Sequence, residues 1–188
     1  MNREKDDRQL IMLAASGDTQ SFAELVRRHQ GKMLNLAYRY TRDRQDAEDL
    51  AQEIFFKAWR HAGSFRGEAA FATWLYRLAV NSCLNHRQGK KARPDPLSLT
   101  ENLPAGGDVG QAGDDLVAAE RETRLRGALA ALPPRQRLAL ALASFEDKSY
   151  EEIAAVMEVS VASVESLLFR ARQNLAAILS PLKRKGEL

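Results

Sequence analysis

Nothing restricts the architecture of this chain more than its middle. From Pro94 to Asp115 it reads PDPLSLTENLPAGGDVGQAGDD, with three of the six prolines, four of the eleven glycines, no aromatic residue and no helical period. Proline removes a backbone donor and glycine loses the most freedom on ordering, so such a run favours a flexible connection. A structureless segment of this length is uncommon inside one compact core. The 188 residues therefore divide into a folded unit at 1–93, a linker at 94–115 and a second folded unit at 116–188, each unit small and thin in core.

Charge follows the same division. Residues 1–93 carry 17 Lys and Arg against 11 Asp and Glu, residues 94–120 carry none against 6, and residues 121–188 carry 11 against 8. Two basic bodies joined by an acidic strap suit a polyanionic partner. No run of about eighteen apolar residues is present, which excludes a helical membrane span. The charged start, Met1 to Gln9, lacks the apolar core of a signal peptide, so the expected location is the cytoplasm. A single cysteine, Cys83, and three scattered histidines, His29, His61 and His86, exclude a disulfide framework and give no metal-ligand spacing. No cofactor is expected.

Both units read as helices only. In the first, Leu10, Leu13 and Ala14 suggest a short helix ending at Gly17. Asp18 can cap a second with Phe22, Leu25, Val26, Met33, Leu36, Ala37 and Tyr40 inside. Asp43 can cap a third, with Ala47, Leu50, Ala51, Ile54 and Ala58 on one face. A loop over Gly63 to Ala70 precedes a fourth helix, Phe71 to Gln88. In the second unit Leu125, Ala128, Leu129 and Leu132 form a stripe broken by Pro133, and Pro134 is placed to open the next helix. Ser149 and Glu152 form a capping box for a helix ending near Met157. Ser160 caps the last helix, with Val164, Leu167, Leu168, Ala171, Leu175 and Ile178 buried. The predicted class is all-α, two helical domains on a flexible linker.

Three constellations carry functional chemistry. Tyr150 to Arg172 fits a helix-turn-helix: two turns of helix, a tight turn at Glu158 to Ser160, and a small Ala154 ten residues before a buried Val164. Ala162, Ser163, Ser166, Arg170 and Gln173 then form a polar face sized for a major groove. Glu158 stands where such turns often use glycine, so a costlier backbone angle is expected there. On the fourth helix Trp74, Arg77, Asn81, Asn85 and Gln88 recur at helical steps as groups able to stack on or bond to bases. From Arg60 to Arg93 seven basic residues face one acid, Glu68. The third constellation is acidic: Asp49, Gln52, Glu53 and Phe56 share a face of the third helix, an exposed aromatic beside carboxylates that fits a protein contact.

The runs DAEDLAQEIFFKAW (Asp46 to Trp59), FRGEAAFATWLYRLAVNSCLNHRQ (Phe65 to Gln88), ALPPRQR (Ala131 to Arg137) and SYEEIAAVMEVSVASVESLLFRAR (Ser149 to Arg172) together resemble the second and fourth conserved regions of the extracytoplasmic-function group of bacterial sigma factors. The resemblance implies an alternative sigma factor that binds core RNA polymerase and directs it to promoter DNA, usually under the control of an anti-sigma factor. It implies that Asp49, Gln52 and Glu53 dock on the coiled coil of the largest polymerase subunit. The loop from Phe65 and Arg66 to Phe71 would capture a base flipped from the minus-ten strand, beside Trp74 and the reading residues Arg77, Asn81 and Asn85. Ser163, Glu165, Ser166, Phe169 and Arg170 occupy the positions that meet the minus-thirty-five element, on a lobe expected at the polymerase flap. Glu165 and Leu167 depart from the common pattern, being frequently basic in relatives.

Two other classes stay open on the residues alone. One is a one-component helix-turn-helix regulator with an N-terminal sensor or dimerisation domain, which would bind a specific duplex unaided. The other is a helical hydrolase using Cys83 with His86 three residues on, for which no acid or oxyanion donor is evident; a small buried thiol is the competing role.

Overall fold

A computed structural model describes the backbone of residues 5–91, 114–146 and 148–184, and the side chains of 5–86, 123–146 and 148–180. The linker at 94–113, the side chains of Arg87, Gln88, Lys90, Lys91, Lys183 and Arg184, and Lys185 lie outside these residues.

Local signals set most boundaries. Asp6 opens α1 (Asp7–Ala15): its carboxylate accepts the Gln9 amide at 2.7 Å and the Gln9 side chain accepts the Asp6 amide at 3.2 Å. Asp18 caps α2 (Thr19–Thr41) through the amides of Gln20 and Ser21, and Asp43 caps α3 (Arg44–Arg60) through that of Asp46. A 3-10 turn at Ala62–Ser64 and a loop lead into α4 (Phe71–Lys91). Beyond the linker come α5 (Asp114–Ala131) and α6 (Pro134–Phe145), whose first position is the proline. The capping box of Ser149 and Glu152 opens α7 (Tyr150–Met157), and Ser160 accepts the Ser163 amide to start α8 (Val161–Arg184). No strand occurs among the described residues, so the fold is all-α as expected.

The first unit packs α1 and α3 against α2, with α4 against α3. Leu10, Ile11, Leu25, Met33, Leu36, Leu50, Ile54, Leu75, Ala79 and Cys83 are buried in its core. In the second, α6, α7 and α8 enclose Leu138, Leu142, Ile153, Val164 and Leu168, while Leu129 and Leu132 at the end of α5 meet Ala171. Fully burying such side chains contributes about 1.5–3 kcal/mol each. Leu125, expected on the buried stripe, is 44% exposed.

The two helical units expected on either side of the linker are present, and they touch: α2 and α4 pack on α6, and α4 packs on α7, so buried residues of both units form one apolar cluster. A tether limits how far two bodies part and raises their mutual concentration into the millimolar range; it does not hold them apart.

The polar part of the seam follows one chemical rule, arginine on helix carboxyl ends. The last carbonyls of a helix have no intrahelical donor and carry the negative end of the dipole. Buried Arg137 on α6 donates from Nη1 to Tyr40 O at 2.9 Å in the last turn of α2, and from Nη2 to Leu132 O at 3.1 Å and to Ala130 O at the end of α5. Arg77 on α4 donates from Nε to Ala155 O at 2.8 Å in the last turn of α7. Two cation–π contacts close the rim: Arg39 lies 3.6 Å from the Phe145 ring centroid and Lys148 lies 4.2 Å from that of Tyr76. The Tyr76 hydroxyl donates to the Glu146 carboxylate across the same seam, and burial followed by that bond pushes the Tyr76 phenol well above its ordinary pKa.

Candidate polymerase and promoter surfaces

The acidic face forms as spaced. On α3, Asp49 and Gln52 are exposed, Glu53 is half-buried, and Phe56 is 61% exposed between them and Arg60. A large apolar ring held in water beside carboxylates costs free energy that a partner protein would recover. Glu53 pairs with Lys57, whose ammonium also donates to Ser82 on α4 at 3.0 Å. This bridge ties the acidic face to the helix that carries the asparagines.

The loop and α4 present a layered arrangement. Phe71 is 3% exposed and cannot reach a partner directly. It supports a cluster in which Phe65 stacks edgewise on Phe71 at 6.2 Å and on Trp74 at 5.5 Å. Phe65 and Trp74 are half-buried, Arg66 is exposed, and farther along the helix Asn81 and Asn85 are both exposed one turn apart. Asparagine is a poor helix former, and here two pay that penalty without a described protein partner. Arg77 stands apart from its stripe, because its guanidinium is engaged by α7.

In the second unit Ala154 is buried beneath the crossing of α7 and α8, with Val164 wholly enclosed. Glu158 takes φ 55 and donates its amide to Ala154 O, the left-handed turn expected at that position. The five residues singled out on α8, Ser163, Glu165, Ser166, Phe169 and Arg170, are all exposed, Phe169 to 61%. Ser166 bonds back to Ala162 O at 3.0 Å and Ser163 to Ser160 at 2.8 Å, so both hydroxyls are oriented.

A groove on this face is lined by Val159, Ala162, Ser163, Ser166, Leu167, Arg170 and also Arg135. Sequence reasoning did not single out Arg135. It sits in the first turn of α6, where a cation opposes the helix dipole, and that misplaced charge was the available signal. Next to it, Asn174 donates to Gln136 at 2.8 Å and fixes α8 against α6.

No group of side chains suited to a metal occurs among the described residues. Cys83 is wholly buried, and burial pushes its thiol up to about 12. It packs in the core of the first unit.

Residues 25–93 match the model of sigma-70 region 2, and residues 122–175 match that of sigma-70 region 4. The chain is 38% identical to the RNA polymerase sigma-H factor of Pseudomonas aeruginosa over 99% of its own length and 100% of the relative's. It is 35% identical to the ECF RNA polymerase sigma-E factor of Escherichia coli, covering 98% and 100%. The chain belongs to the extracytoplasmic-function sigma factors. Among solved structures, this sigma factor is similar to CnrH in its complex with the cytosolic domain of CnrY, at 28% identity and a TM-score of 0.67, covering 93% and 97% of the two chains. The sigma factor RpoE of Bartonella quintana, at 22% identity and a TM-score of 0.63 over 86% and 98%, shares the fold. As an alternative sigma factor it binds core RNA polymerase and directs promoter-specific transcription initiation. No described helix is long and apolar enough to cross a membrane.

Proposed function

We propose that the division of labour runs as follows. Residues 1–93 dock on polymerase and read and melt the minus-ten element, the linker 94–115 joins the two units, and residues 116–188 read the minus-thirty-five element. Asp49, Gln52 and Glu53 bind the coiled coil of the largest subunit, with Phe56 as their apolar anchor. Phe65 and Trp74 stack the base drawn from the opened strand, and Phe71 acts from behind by holding them. Arg66, Arg77, Asn81 and Asn85 contact that strand. Ser163, Glu165, Ser166, Phe169 and Arg170 enter the major groove, and Arg135 adds a phosphate contact at the edge of the same groove. All of this is binding without catalysis, carried out in the cytoplasm.

The observation that carries this reading is the engagement of Arg77 by Ala155. Elements some 25 base pairs apart are separated by about 85 Å at about 3.4 Å per pair, whereas the two units here touch. The lobes cannot occupy both elements while closed, so polymerase must part them, releasing Arg77 to DNA at that moment. This coupling makes promoter binding depend on the enzyme. CnrH, a relative in fold and sequence, was solved with a bound partner, which supports control of this chain by an anti-sigma protein that favours the inactive arrangement.

Run-off transcription with purified core polymerase on genomic fragments tests the assignment. New start sites are expected with the wild-type chain, and changing Asn81 and Asn85 together to Ala should abolish them. Undiminished initiation by that double variant overturns the placement of the reading surface; loss of core binding on Glu53→Lys, with folding intact, supports the docking face, and retained binding overturns it.

A further inference from the structure

Gly67 lies in the loop between the 3-10 turn and α4, with φ +71. A Cβ there would fall 2.9 Å from Nη2 and 3.1 Å from both Cζ and Nε of Arg8 on α1. The guanidinium therefore rests against the glycine through its Nε, Cζ and Nη2 atoms, in space that any side chain at this position would fill. Arg8 is exposed and has no ion-pair or hydrogen-bond partner among the described residues.

Its position is built. The neighbouring Asp7 accepts Arg28 Nη1 at 3.0 Å and meets His29 Nε2 at 2.6 Å. His29 packs edgewise on Phe71 at 5.2 Å, and Phe71 supports Phe65 and Trp74. The first turn of α1 is thus clamped to the aromatic cluster, and the next residue along is delivered onto the loop. A polar chain of this kind would be superfluous if α1 only covered the core, which Leu10, Ile11 and Ala14 already achieve.

We propose that Arg8 binds a backbone phosphate of the single DNA strand held by the loop, making α1 part of the promoter-melting surface. This rests on the reading of Phe65 to Phe71 as the base-capturing element. The planar guanidinium presents paired donors to phosphate oxygens, Arg66 supplies a second cation on the loop, and Gly67 is small so that Arg8 can rest against it.

The test uses holoenzyme assembled from the full chain and core polymerase, on a promoter fragment obtained by run-off, with its minus-ten region opened by mismatches. One phosphate contact to a single strand contributes about 0.7 to the slope of log affinity against log salt, or about five-fold in affinity at 0.1 M salt. Arg8→Ala should bind about five-fold more weakly with a correspondingly shallower slope, and Arg8→Lys should recover most of that slope. One neutral methylphosphonate in the strand should reproduce the loss in the wild type and add nothing in Arg8→Ala. An unchanged slope in Arg8→Ala overturns the proposal, as does a scan in which every methylphosphonate weakens both proteins equally. If Arg8→Ala is silent while the Asn81 and Asn85 double variant loses initiation, this inference alone fails; the reverse pattern removes the base-reading assignment and keeps the phosphate contact.

Discussion

Replacing Arg137 by Met removes one guanidinium from three helix-terminal carbonyls in two units. Two of its bonds, to Tyr40 O at 2.9 Å and Leu132 O at 3.1 Å, are buried. A buried acceptor left without a donor costs about 1–3 kcal/mol. The third acceptor, Ala130 O, is only partly buried and can take water instead. Methionine restores much of the volume and removes the desolvation cost of the charge, so the two orphans are partly offset and a net loss of about 2–4 kcal/mol is expected. The guanidinium also lies over the Tyr40 ring, and of these three bonds the one to Tyr40 O spans the seam. Its share, about 1–3 kcal/mol, lowers the ratio of closed to open chains by roughly 5- to 150-fold. Urea unfolding reads the total, and spin labels at Lys32→Cys and Glu165→Cys, both exposed, read the closure in a Cys83→Ala background. The wild type should give one narrow inter-label distance, and Arg137→Met should broaden it toward longer values with an earlier urea midpoint. If the midpoint and the distance distribution both stay unchanged, the reasoning that arginine on helix ends holds the lobes together is wrong.

Two further outcomes follow from local geometry. Glu158 occupies a left-handed angle at φ 55, which costs a residue with a Cβ about 1–2 kcal/mol, partly cancelled by the extra chain entropy of glycine; Glu158→Gly should therefore stabilise by about 0.5–1 kcal/mol in urea, and a destabilised variant would contradict the strain. Cys83, wholly enclosed and with its thiol pushed up to about 12, should resist a thiol reagent at pH 8 in the folded chain and react at once in denaturant; rapid labelling under native conditions would show that the core opens there.

The sequence by itself determined the elements and their faces. Caps at Asp18, Asp43, Ser149 and Ser160, the proline opening α6 and the spacing of apolar residues are local, because each depends on a backbone amide or a side chain within about one helical turn. The small Ala154 against Val164 and the strained Glu158 were legible for the same reason. The tertiary structure alone decided what Arg77 and Arg137 do. Arg77 shares its period with Trp74 and Asn81, and nothing in that period signals that a carbonyl from 78 residues away would claim it. Phe71 also looked like a candidate contact until packing placed it beneath Phe65 and Trp74. Arg8 and Gly67 lie far apart in the chain, so their approach has no pattern to read. Helix formation is written in neighbours a turn apart; the meeting of helix ends across a linker depends on surfaces that exist only once both units have folded.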